Sequence, residues 1–598
     1  MIMDGRWGAV ALMIALQLPG AQAPDSRSGL VVGQVIDAST KRPVAGARIV
    51  LNGPPGPSGQ PRPPVLTGTD GRFVFRDMAR GNYNVAAIKA GYVDGAYGRT
   101  RPGGSTLPLS MNDGERRDDV VVRLWRQAAI SGAVRDESGE AQVGVQIRAY
   151  RRAVVGGKRR FVPAGSASTD DRGIYRVGTL TPGDYIVGTA ARQMSVPLSS
   201  VRGASPGASR EMAAEIVGTG GALVVRDAGY LLGRGSATPP PPNGGGLSVY
   251  PPTYHPSAPA GEASSIITVE PGQEYDGADI QITPVTTASV SGFITGPEGP
   301  VTATPLRLVA AASLELPADA DGLSTLTDRQ GAFVFPAVPA GQYALRFTRV
   351  QVTALRRGEP EPAMVWLDLP LTVGSEDVEN LGVSAHAGLR ISGRFEFEGD
   401  PSRPRASLQN VQISIEPADA AAGASARPII ARANAAGEFV SPQMPGGRYY
   451  VRIADSPAGW MFKSATSEGR DLADTPFTLT SDTPNVTVTF TDRWSGIRGR
   501  VLMDRVTDAA VIVFPTDTDT WGSSGLLPRR LRMARASGAD EYSFTLPPGD
   551  YYVIAVPDEQ AADWQDVTFL EEASRDAVRV RVADGERKLQ DVRLRVRR

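Results

Sequence analysis

The feature that most constrains the fold of this chain is a short pattern that recurs along its 598 residues. The segment "TDGRFVF" at Thr69–Phe75 returns as "TDDRGIYRV" at Thr169–Val177 and as "TDRQGAFVF" at Thr327–Phe335. Each copy sets an Asp-Gly turn against alternating apolar residues, which is typical of a hairpin corner. Recurrence of this kind indicates copies of one structural unit. Degenerate copies lie at Ala433–Val440 and Gly538–Phe544.

Two further markers divide the chain into units. A Gly-x-Tyr turn follows each copy, and in the first four the tyrosine lies twelve positions after the turn glycine. These tyrosines are Tyr83, Tyr185, Tyr343, Tyr449 and Tyr551. An apolar-x-Gly-x-apolar motif opens each unit, with Gly33, Gly132, Gly292, Gly393 and Gly499 at its centre. The markers predict five domains, because one core stops growing near ~250–300 residues; their limits are 28–125, 128–286, 287–387, 388–492 and 493–598.

The segments between the markers have the period of β-strands. Apolar and polar residues alternate in "VQIRAY" (Val145–Tyr150) and "VQISIEP" (Val411–Pro417), and Gly, Pro and Asp separate such runs. Short strands between turn residues predict antiparallel sandwiches. We find no sustained helical periodicity. The predicted fold is therefore all-β, with five antiparallel β-sandwich domains in tandem.

The second unit is about 60 residues longer than the others. Its excess runs from about residue 192 to 248 through "VRGASPGAS", "GTGGAL" and "TPPPPNGGG". Segments of this composition bury too little apolar surface to offset the entropy lost on ordering. We therefore predict a long flexible loop insertion here, with strands resuming near Tyr250–Pro256.

The N-terminus has the pattern of an export signal. Arg6 precedes the apolar run Trp7–Leu18, and Ala21 and Ala23 fit the small-residue cleavage pattern. The run is shorter than the ~20 residues that span a bilayer. We predict a signal peptide at 1–23 and an exported protein that is periplasmic, surface-bound or secreted. Because Pro24 disfavours cleavage, an uncleaved signal is the alternative, and no other membrane span is expected.

The first unit resembles a known family. The strings "VVGQVIDASTKRPVAGARIVLNG" and "TGTDGRFVFRDMARGNYNVAAIKAGY", within Val31–Tyr92, resemble the carboxypeptidase regulatory-like domain. The resemblance extends in weaker form along the other units and to exported bacterial proteins built from such domains. It implies a transthyretin-like Greek-key sandwich related to Cna-B-type and carbohydrate-binding-like folds. It implies no activity, because a fold by itself does not define a function.

Composition restricts the chemistry. The chain has no cysteine, which removes disulfides, thiolate ligands and Cys nucleophiles. Its two histidines, His255 and His386, lie in different units, and neither begins a His-x-x-Glu motif. The formal net charge of −1 provides no bulk attraction to nucleic acid. We therefore expect no catalytic residue, no cofactor, no metal and no nucleic-acid partner.

The recurring polar residues have structural interpretations. Asp70, Asp170 and Asp328 could offer carboxylates to calcium, but one or two per turn are too few for six to eight ligands. We interpret them as caps of their own turns. The recurring tyrosines are interpreted as core residues whose hydroxyls bind nearby backbone.

Two functions are considered for this chain, and the second is suggested by tryptophans in the last two units. The first is a non-enzymatic binding or scaffold protein, with sandwiches in series offering loops and sheet edges to an extracytoplasmic protein or polysaccharide. The second is carbohydrate binding by exposed Trp460, Trp521 and Trp564, which fall in loop-like segments near aspartates. A hydrolase would require a pair of carboxylates with separated pKa values in one cleft.

Overall fold

The structure is a computed structural model that describes most of the chain after residue 28. The described residues are 29–56, 59–190, 193–198, 222–225, 230–234, 247–259, 265–311, 322–350, 363–400, 402, 408, 411–419, 427–503, 508–523, 525–536 and 541–596. The predicted signal peptide at 1–23 lies outside them, as does much of the predicted loop insertion.

These residues form two compact units. The first comprises 29–90, 94–99 and 105–124, and the second comprises 91–93, 100–104 and the described residues from 125 onward. Across the described residues there are ten β-sheets, two for each repeat of the sequence, and we term the repeats modules 1 to 5. The predicted all-β fold of tandem sandwiches is confirmed.

Module 1 packs the sheet β4-β1-β9-β6 against the sheet β3-β2-β5-β7, in which β8 also pairs with β5. Its strands are β1 (Gly29–Asp37), β2 (Arg48–Asn52), β3 (Val65–Leu66), β4 (Arg72–Met78), β5 (Gly81–Ile88), β6 (Tyr92–Val93), β7 (Gly95–Ala96), β8 (Leu109–Met111) and β9 (Arg116–Arg126).

Module 2 repeats this plan with β10 (Ala128–Arg135), β11 (Gln146–Val155), β12 (Lys158–Ser168), β13 (Ile174–Leu180) and β14 (Gly183–Thr189). Three strands of the insertion follow, β15 (Gln193–Pro197), β16 (Ala222–Val225) and β17 (Tyr230–Arg234), and then β18 (Ser248–Val249). Module 2 ends with β19 (Thr253–Tyr254), β20 (Ala258–Pro259), β21 (Ile267–Val269), β22 (Glu274–Tyr275) and β23 (Ile280–Gln281).

Module 3 contains β24 (Val285–Gly296), β25 (Gly299–Pro300), β26 (Pro305–Ala310), β27 (Gly322–Leu326), β28 (Ala332–Pro339), β29 (Gly341–Val350), β30 (Met364–Val373), β31 (Val378–Ser384) and β32 (His386–Ala387). Module 4 contains β33 (Ile391–Glu398), β34 (Gln412–Pro417), β35 (Ile429–Arg432), β36 (Glu438–Val440), β37 (Gly447–Ile453), β38 (Met461–Ser467), β39 (Arg470–Asp471), β40 (Phe477–Leu479) and β41 (Thr483–Thr491).

Module 5 contains β42 (Gly496–Leu502), β43 (Ala509–Pro515), β44 (Arg532–Arg535), β45 (Glu541–Thr545), β46 (Gly549–Pro557), β47 (Val578–Val582), β48 (Arg587–Leu589) and β49 (Val592–Arg593). It also has 3₁₀ turns at Thr518–Ser523 and Asp558–Gln560 and the helix α1 (Val567–Asp576).

One pairing scheme is common to all modules. The first strand lies antiparallel to the strand that follows the Asp-Gly turn and parallel to a closing strand near the end of the module, which is β9, β23, β31, β41 or β49. The period of two in the sequence does not specify strand direction, so this parallel pairing was not predicted. The first strand is therefore the central strand around which each sandwich forms.

The opening glycine of each module is required by this pairing. In module 4, β33 advances two residues from Ile391 to Gly393 while β41 advances three, from Thr483 to Val486. The extra residue is a β-bulge that brings a carbonyl toward β33. A Cβ atom on Gly393 would lie 1.8 Å from the Val486 carbonyl oxygen. Gly33, Gly132, Gly292 and Gly499 each face a carbonyl in the closing part of their module in the same way. These are the carbonyls of Val120, Ala278, Leu381 and Gln590, at 2.7, 2.3, 2.1 and 1.8 Å.

The loop prediction for residues 192–248 is wrong for three short segments. Strands β15, β17 and β16 extend one sheet of module 3, because β15 pairs in parallel with β27. Ser195 Oγ donates to Thr325 Oγ1 at 2.7 Å, and Val196 and Leu231 are buried against Leu326. Strands β15 and β17 bury enough apolar surface to order themselves although their surroundings are rich in Gly, Ser and Pro.

Modules 2 and 3 are interleaved along the sequence. β24 begins at Val285, before the predicted limit, and it pairs with β18, which precedes the last strands of module 2. The chain thus passes from module 2 to module 3 and back before the second module is complete. The two modules share strands and are not independent beads.

Hairpin β11–β12 connects module 2 with modules 4 and 5. Arg159 Nε and Nη2 donate to the Asp566 carboxylate at 2.5 and 3.0 Å, and Lys158 Nζ lies 3.7 Å from Asp419 Oδ1. A bidentate guanidinium–carboxylate pair fixes direction as well as distance. Within the second compact unit, modules that are distant in the sequence are therefore also bonded to each other.

Helix α1 is the main departure from the predicted all-β composition. Asp566 caps it by accepting from the Thr568 amide at 2.8 Å, and the helix buries Phe569, Leu570 and Ala573. These side chains cover the outer face of β43, all of whose residues are buried. A strand with apolar residues on both faces requires a second covering layer, and α1 provides it.

We predict that Gly393→Ala destabilises module 4 by about 3 kcal/mol, near the upper end of overpacking costs. The new methyl group would meet the Val486 carbonyl, and the bulge would have to move. Chemical denaturation measures the loss. Gly374→Ala is the matched control, since no heavy atom lies within 4 Å of its Cβ position, and its effect should stay within ~0.5 kcal/mol. Equal effects of the two substitutions would contradict the role of the bulge.

We predict that Leu232→Asp detaches the β15–β17 hairpin from module 3. Leu232 has no exposed surface, and an unpaired charge there costs several kcal/mol, roughly as for other buried ions. Hydrogen exchange at β27 should then accelerate. Val440→Asp is the control because Val440 is 57% exposed. Unchanged protection of β27 in Leu232→Asp would show that the hairpin does not cover this strand.

Candidate functional site

The five recurring tyrosines share one hydrogen bond. Each hydroxyl donates to the carbonyl oxygen four residues earlier: Tyr83 to Ala79, Tyr185 to Thr181, Tyr343 to Pro339, Tyr449 to Pro445 and Tyr551 to Pro547. Burial raises the pKa of Tyr343 and Tyr449 to about 12. A phenol that is neutral and bonded to backbone fixes a corner of the chain. The structural interpretation of these residues is confirmed.

The Asp-Gly turns use their carboxylates internally. Asp170 Oδ1 accepts from the amides of Ile174 and Arg172 at 2.8 and 3.0 Å, and the bond from Ile174 is the main reason that its pKa is lowered. Asp328 accepts two amides in the same way. The turn glycine that follows has positive φ, for example 74° at Gly173. The interpretation of these residues as turn caps is confirmed.

The expected exposure of Trp460 and Trp521 is wrong. Trp460 is 3% exposed and its ring lies 4.6 Å from that of Phe397 in the core of module 4. Trp521 is 2% exposed, packs against Phe514 and donates its indole N–H to the Pro515 carbonyl. Each ring fills a core, which the loop-like sequence around it concealed.

Trp564 differs from these two in being half-buried, against the layer formed by α1. The nearby Asp566 is already bonded to Arg159 and to the first turn of α1. A ligand-binding role for Trp460, Trp521 and Trp564 stays a prediction, and only Trp564 retains part of its surface for it.

A pair of carboxylates does occur between modules 4 and 5. Glu416 Oε2 and Asp474 Oδ1 lie 3.9 and 3.3 Å from the guanidinium of Arg452, which is itself buried. Glu416 also accepts from the amides of Leu526 and Leu527 in module 5. We term Glu416, Arg452, Asp474, Arg529 and Arg530 the interface cluster.

Three guanidinium groups meet at Asp474. Arg530 Nε donates to Asp474 Oδ2 at 2.8 Å, and Arg529 Nη1 lies 3.5 Å from the same carboxylate. Arg529 also donates to the Lys463 carbonyl at 2.7 Å and lies over the Phe462 ring, 4.2 Å from its centroid. The cluster thus holds the β43–β44 connection of module 5 against the edge of module 4.

The surroundings separate the pKa values of the two carboxyl groups. Burial raises the pKa of Glu416, and the Leu526 amide only partly opposes it. Burial also tends to raise the pKa of Asp474, but Arg529 and Arg530 outweigh it and the net shift is downward. Such a separation is common in catalytic pairs. Glu416 has no exposed surface, however, so the pair is enclosed in an interface and not placed in a cleft.

One open cleft of about 640 Å³ lies beside the join between modules 4 and 5. Its walls are the connection after β41 and the turn between β47 and β48. We term it the Trp494 cleft, and it is lined by Asp492, Arg493, Trp494, Asp584, Gly585 and Arg587. Clefts of ~300–1,000 Å³ are the usual size for small ligands.

One feature of the sequence indicates this cleft, although the sequence analysis did not predict it. Trp494 stands in "TDRWSGI", directly before the opening glycine motif of module 5. Residues in short joins between modules lie where two surfaces meet. An aromatic residue flanked by charged residues in a join therefore indicates a cleft better than an aromatic residue inside a unit does. The three predicted tryptophans lie inside units, and two of them are core residues.

Among the described residues, no group of three or more His, Asp or Glu side chains is arranged to hold a metal ion. In the same part of the chain, no helix has the length and apolar character to cross a bilayer.

These features define a class: a tandem β-sandwich protein whose recurring polar residues fix corners and turns. Residues 31–112 match the family model of the carboxypeptidase regulatory-like domain, so module 1 is a domain of this family. Comparison with curated proteins gives no match.

Several solved structures are similar to parts of the chain. The Bacillus anthracis TIE protein is 13% identical, with 74% of this chain and 66% of that protein covered and a TM-score of 0.13. Two B repeat units of the collagen-binding protein of Staphylococcus aureus are 10% identical, with 78% of this chain and 99% of that chain covered and a TM-score of 0.11. A putative carbohydrate-binding protein from Pseudomonas aeruginosa is 18% identical, with 16% of this chain and 88% of that chain covered and a TM-score of 0.12. Likenesses this weak support no functional inference.

We predict that Asp474→Asn lowers the stability of the joined modules 4 and 5 by ~3–5 kcal/mol at pH 7. Three guanidinium groups would then meet without their carboxylate. Urea denaturation measures the difference. Asp419→Asn is the control, because Asp419 is half-exposed and its pair with Arg448 is worth ~0–1 kcal/mol. A loss as small as that of the control would mean that the cluster does not hold the interface.

Acidification should act in opposite directions on the two carboxyl groups. The pKa of Asp474 is lowered in the folded protein, so its stabilisation is present above the unfolded value and is lost below about pH 4. The pKa of Glu416 is raised, so its protonation below the folded value favours folding. Urea denaturation from pH 7 to 3 should therefore show a steeper acid loss in Glu416→Gln than in the wild type, and a shallower loss in Asp474→Asn. Parallel curves for all three proteins would contradict these pKa shifts.

Proposed function

We propose that this chain is an exported, non-enzymatic binding or scaffold protein whose partner is an extracytoplasmic protein or polysaccharide. The observation that carries the proposal is the way in which modules 2 to 5 are joined. Strands of the insertion complete module 3, Arg159 connects module 2 with α1, and the interface cluster joins modules 4 and 5.

Fixed interfaces between modules favour a binding function over a catalytic one. Interfaces of this kind keep surfaces of different modules at fixed separations, which lowers the entropy lost when a partner contacts several at once. The residues that recur and therefore suggest chemistry, the tyrosines and turn aspartates, are bonded to backbone instead. Glu416, the carboxylate of the interface cluster whose pKa is raised, has no exposed surface.

Export is the second part of the proposal. It rests on the charged, apolar and small-residue pattern of residues 1–23. Fusion of these residues to a reporter that is active only outside the cytoplasm tests it, and Leu12→Arg in the apolar run is the negative control.

Binding is tested with the purified chain against extracytoplasmic proteins and polysaccharides of the source organism, by biolayer interferometry. We expect saturable binding of one component that falls at least about tenfold in Asp474→Asn if the partner contacts both modules 4 and 5. Glu541→Gln is the control, because it removes an exposed ion pair with Arg500 within module 5, and it should bind as the wild type does.

Two results would contradict the proposal. One is retention of the reporter in the cytoplasm. The other is peptidase, esterase or glycosidase turnover by the pure chain that Glu416→Gln removes, since that would place the carboxylate pair in an active site.

A further inference from the structure

The Trp494 cleft is held open by bonds on both sides. Ser495 Oγ donates to the Leu546 carbonyl at 2.7 Å, and the Trp494 indole N–H donates to the Gly459 carbonyl at 3.4 Å. On the opposite wall Glu586 accepts from the Ala583 amide at 2.9 Å and closes its turn. A site with fixed walls loses little entropy when a ligand enters.

The chemistry of the cleft is mixed. The Trp494 ring is half-buried, so part of its apolar surface faces the opening. Arg587 is exposed, and its guanidinium has no hydrogen-bond or ion-pair partner among the described residues. Arg493 lies 3.6 Å from Asp584, with both side chains more than one-third exposed. Asp492 accepts the Asp400 amide through one oxygen.

This combination selects one class of ligand. An indole surface suits the apolar face of a sugar ring, and a guanidinium suits a carboxylate that it can bind through two parallel bonds. Carboxylates such as Asp584 accept from hydroxyl groups, which sugars offer in pairs.

We propose that the Trp494 cleft binds an acidic saccharide, with its ring on Trp494, its carboxylate on Arg587 and its hydroxyls toward Asp584 and Asp492. The proposal rests on the binding function proposed above and gives it a ligand class. In this proposal the sugar ring stacks on Trp494 in the join, and not on the three tryptophans that the sequence predicted.

Calorimetric titration of the purified chain with trigalacturonic acid tests the proposal, with maltotriose as the neutral probe. We expect binding of the acidic sugar alone. Arg587→Ala and Trp494→Ala should each weaken it at least about tenfold. Arg587→Lys should lie between these and the wild type, since a lysine keeps the charge but not the paired geometry.

Arg498→Ala is the matched control, because Arg498 is an exposed arginine of the same module outside the cleft lining. It should bind the acidic sugar as the wild type does, and unfolding curves of all variants establish that they are folded. Binding that Arg587→Ala leaves unchanged would overturn the proposal, as would equal affinity for maltotriose or no binding. Poly-glutamate binding in place of saccharide would overturn the ligand class. If an extracytoplasmic partner still binds in these cases, the proposed function stands and only the cleft assignment fails.

Discussion

The parallel pairing of first and last strands is the constraint on which the rest of each module depends. It places the chain ends of a module side by side in one sheet, as with Gly393 opposite Val486 in module 4. The bulge beside this glycine leaves no room for a Cβ atom, so the opening motif and the closing strand must be retained together. A module that begins and ends in adjacent strands can be joined to the next by a few residues. Short joins bring neighbouring modules close enough to share strands and charges.

Those close joins explain why the modules are bonded to one another. In β43 both faces are buried, one in the sandwich core and the other under α1 and Trp521. The connection after β43 carries Arg529 and Arg530 to Asp474, and the residue that caps α1 also binds Arg159 of module 2. The elements added to module 5 therefore both complete its packing and contact other modules. Charges enclosed in this way cost free energy unless all partners are present, which favours one arrangement over alternatives.

The sequence predicted what is local and repeated, and it did not predict what depends on contacts between distant segments. The hairpin corners and tyrosine corners involve residues within a few positions of each other, such as Tyr449 and Pro445, so their spacing is visible in the chain. The pairing of β15 with β27 joins residues about 130 positions apart, and average composition concealed the short strands that make it. Helix α1 was missed although its capping Asp566 and the buried Phe569, Leu570 and Ala573 have helical spacing, because it is only ten residues long.

The difference between local and long-range contacts also explains why the sequence did not predict the candidate site. Trp460 and Trp521 stand among turn residues in the sequence, yet distant strands supply the apolar surface that buries them. Trp494 is also a tryptophan, but it lies in the join between two modules. It is half-buried there, and two charged segments line the cleft beside it. Whether a tryptophan is core or platform is thus determined by what the rest of the chain packs against it. In a protein of joined sandwiches, the places left uncovered by that packing are the joins, and recognition sites are expected there more than in the repeated turns.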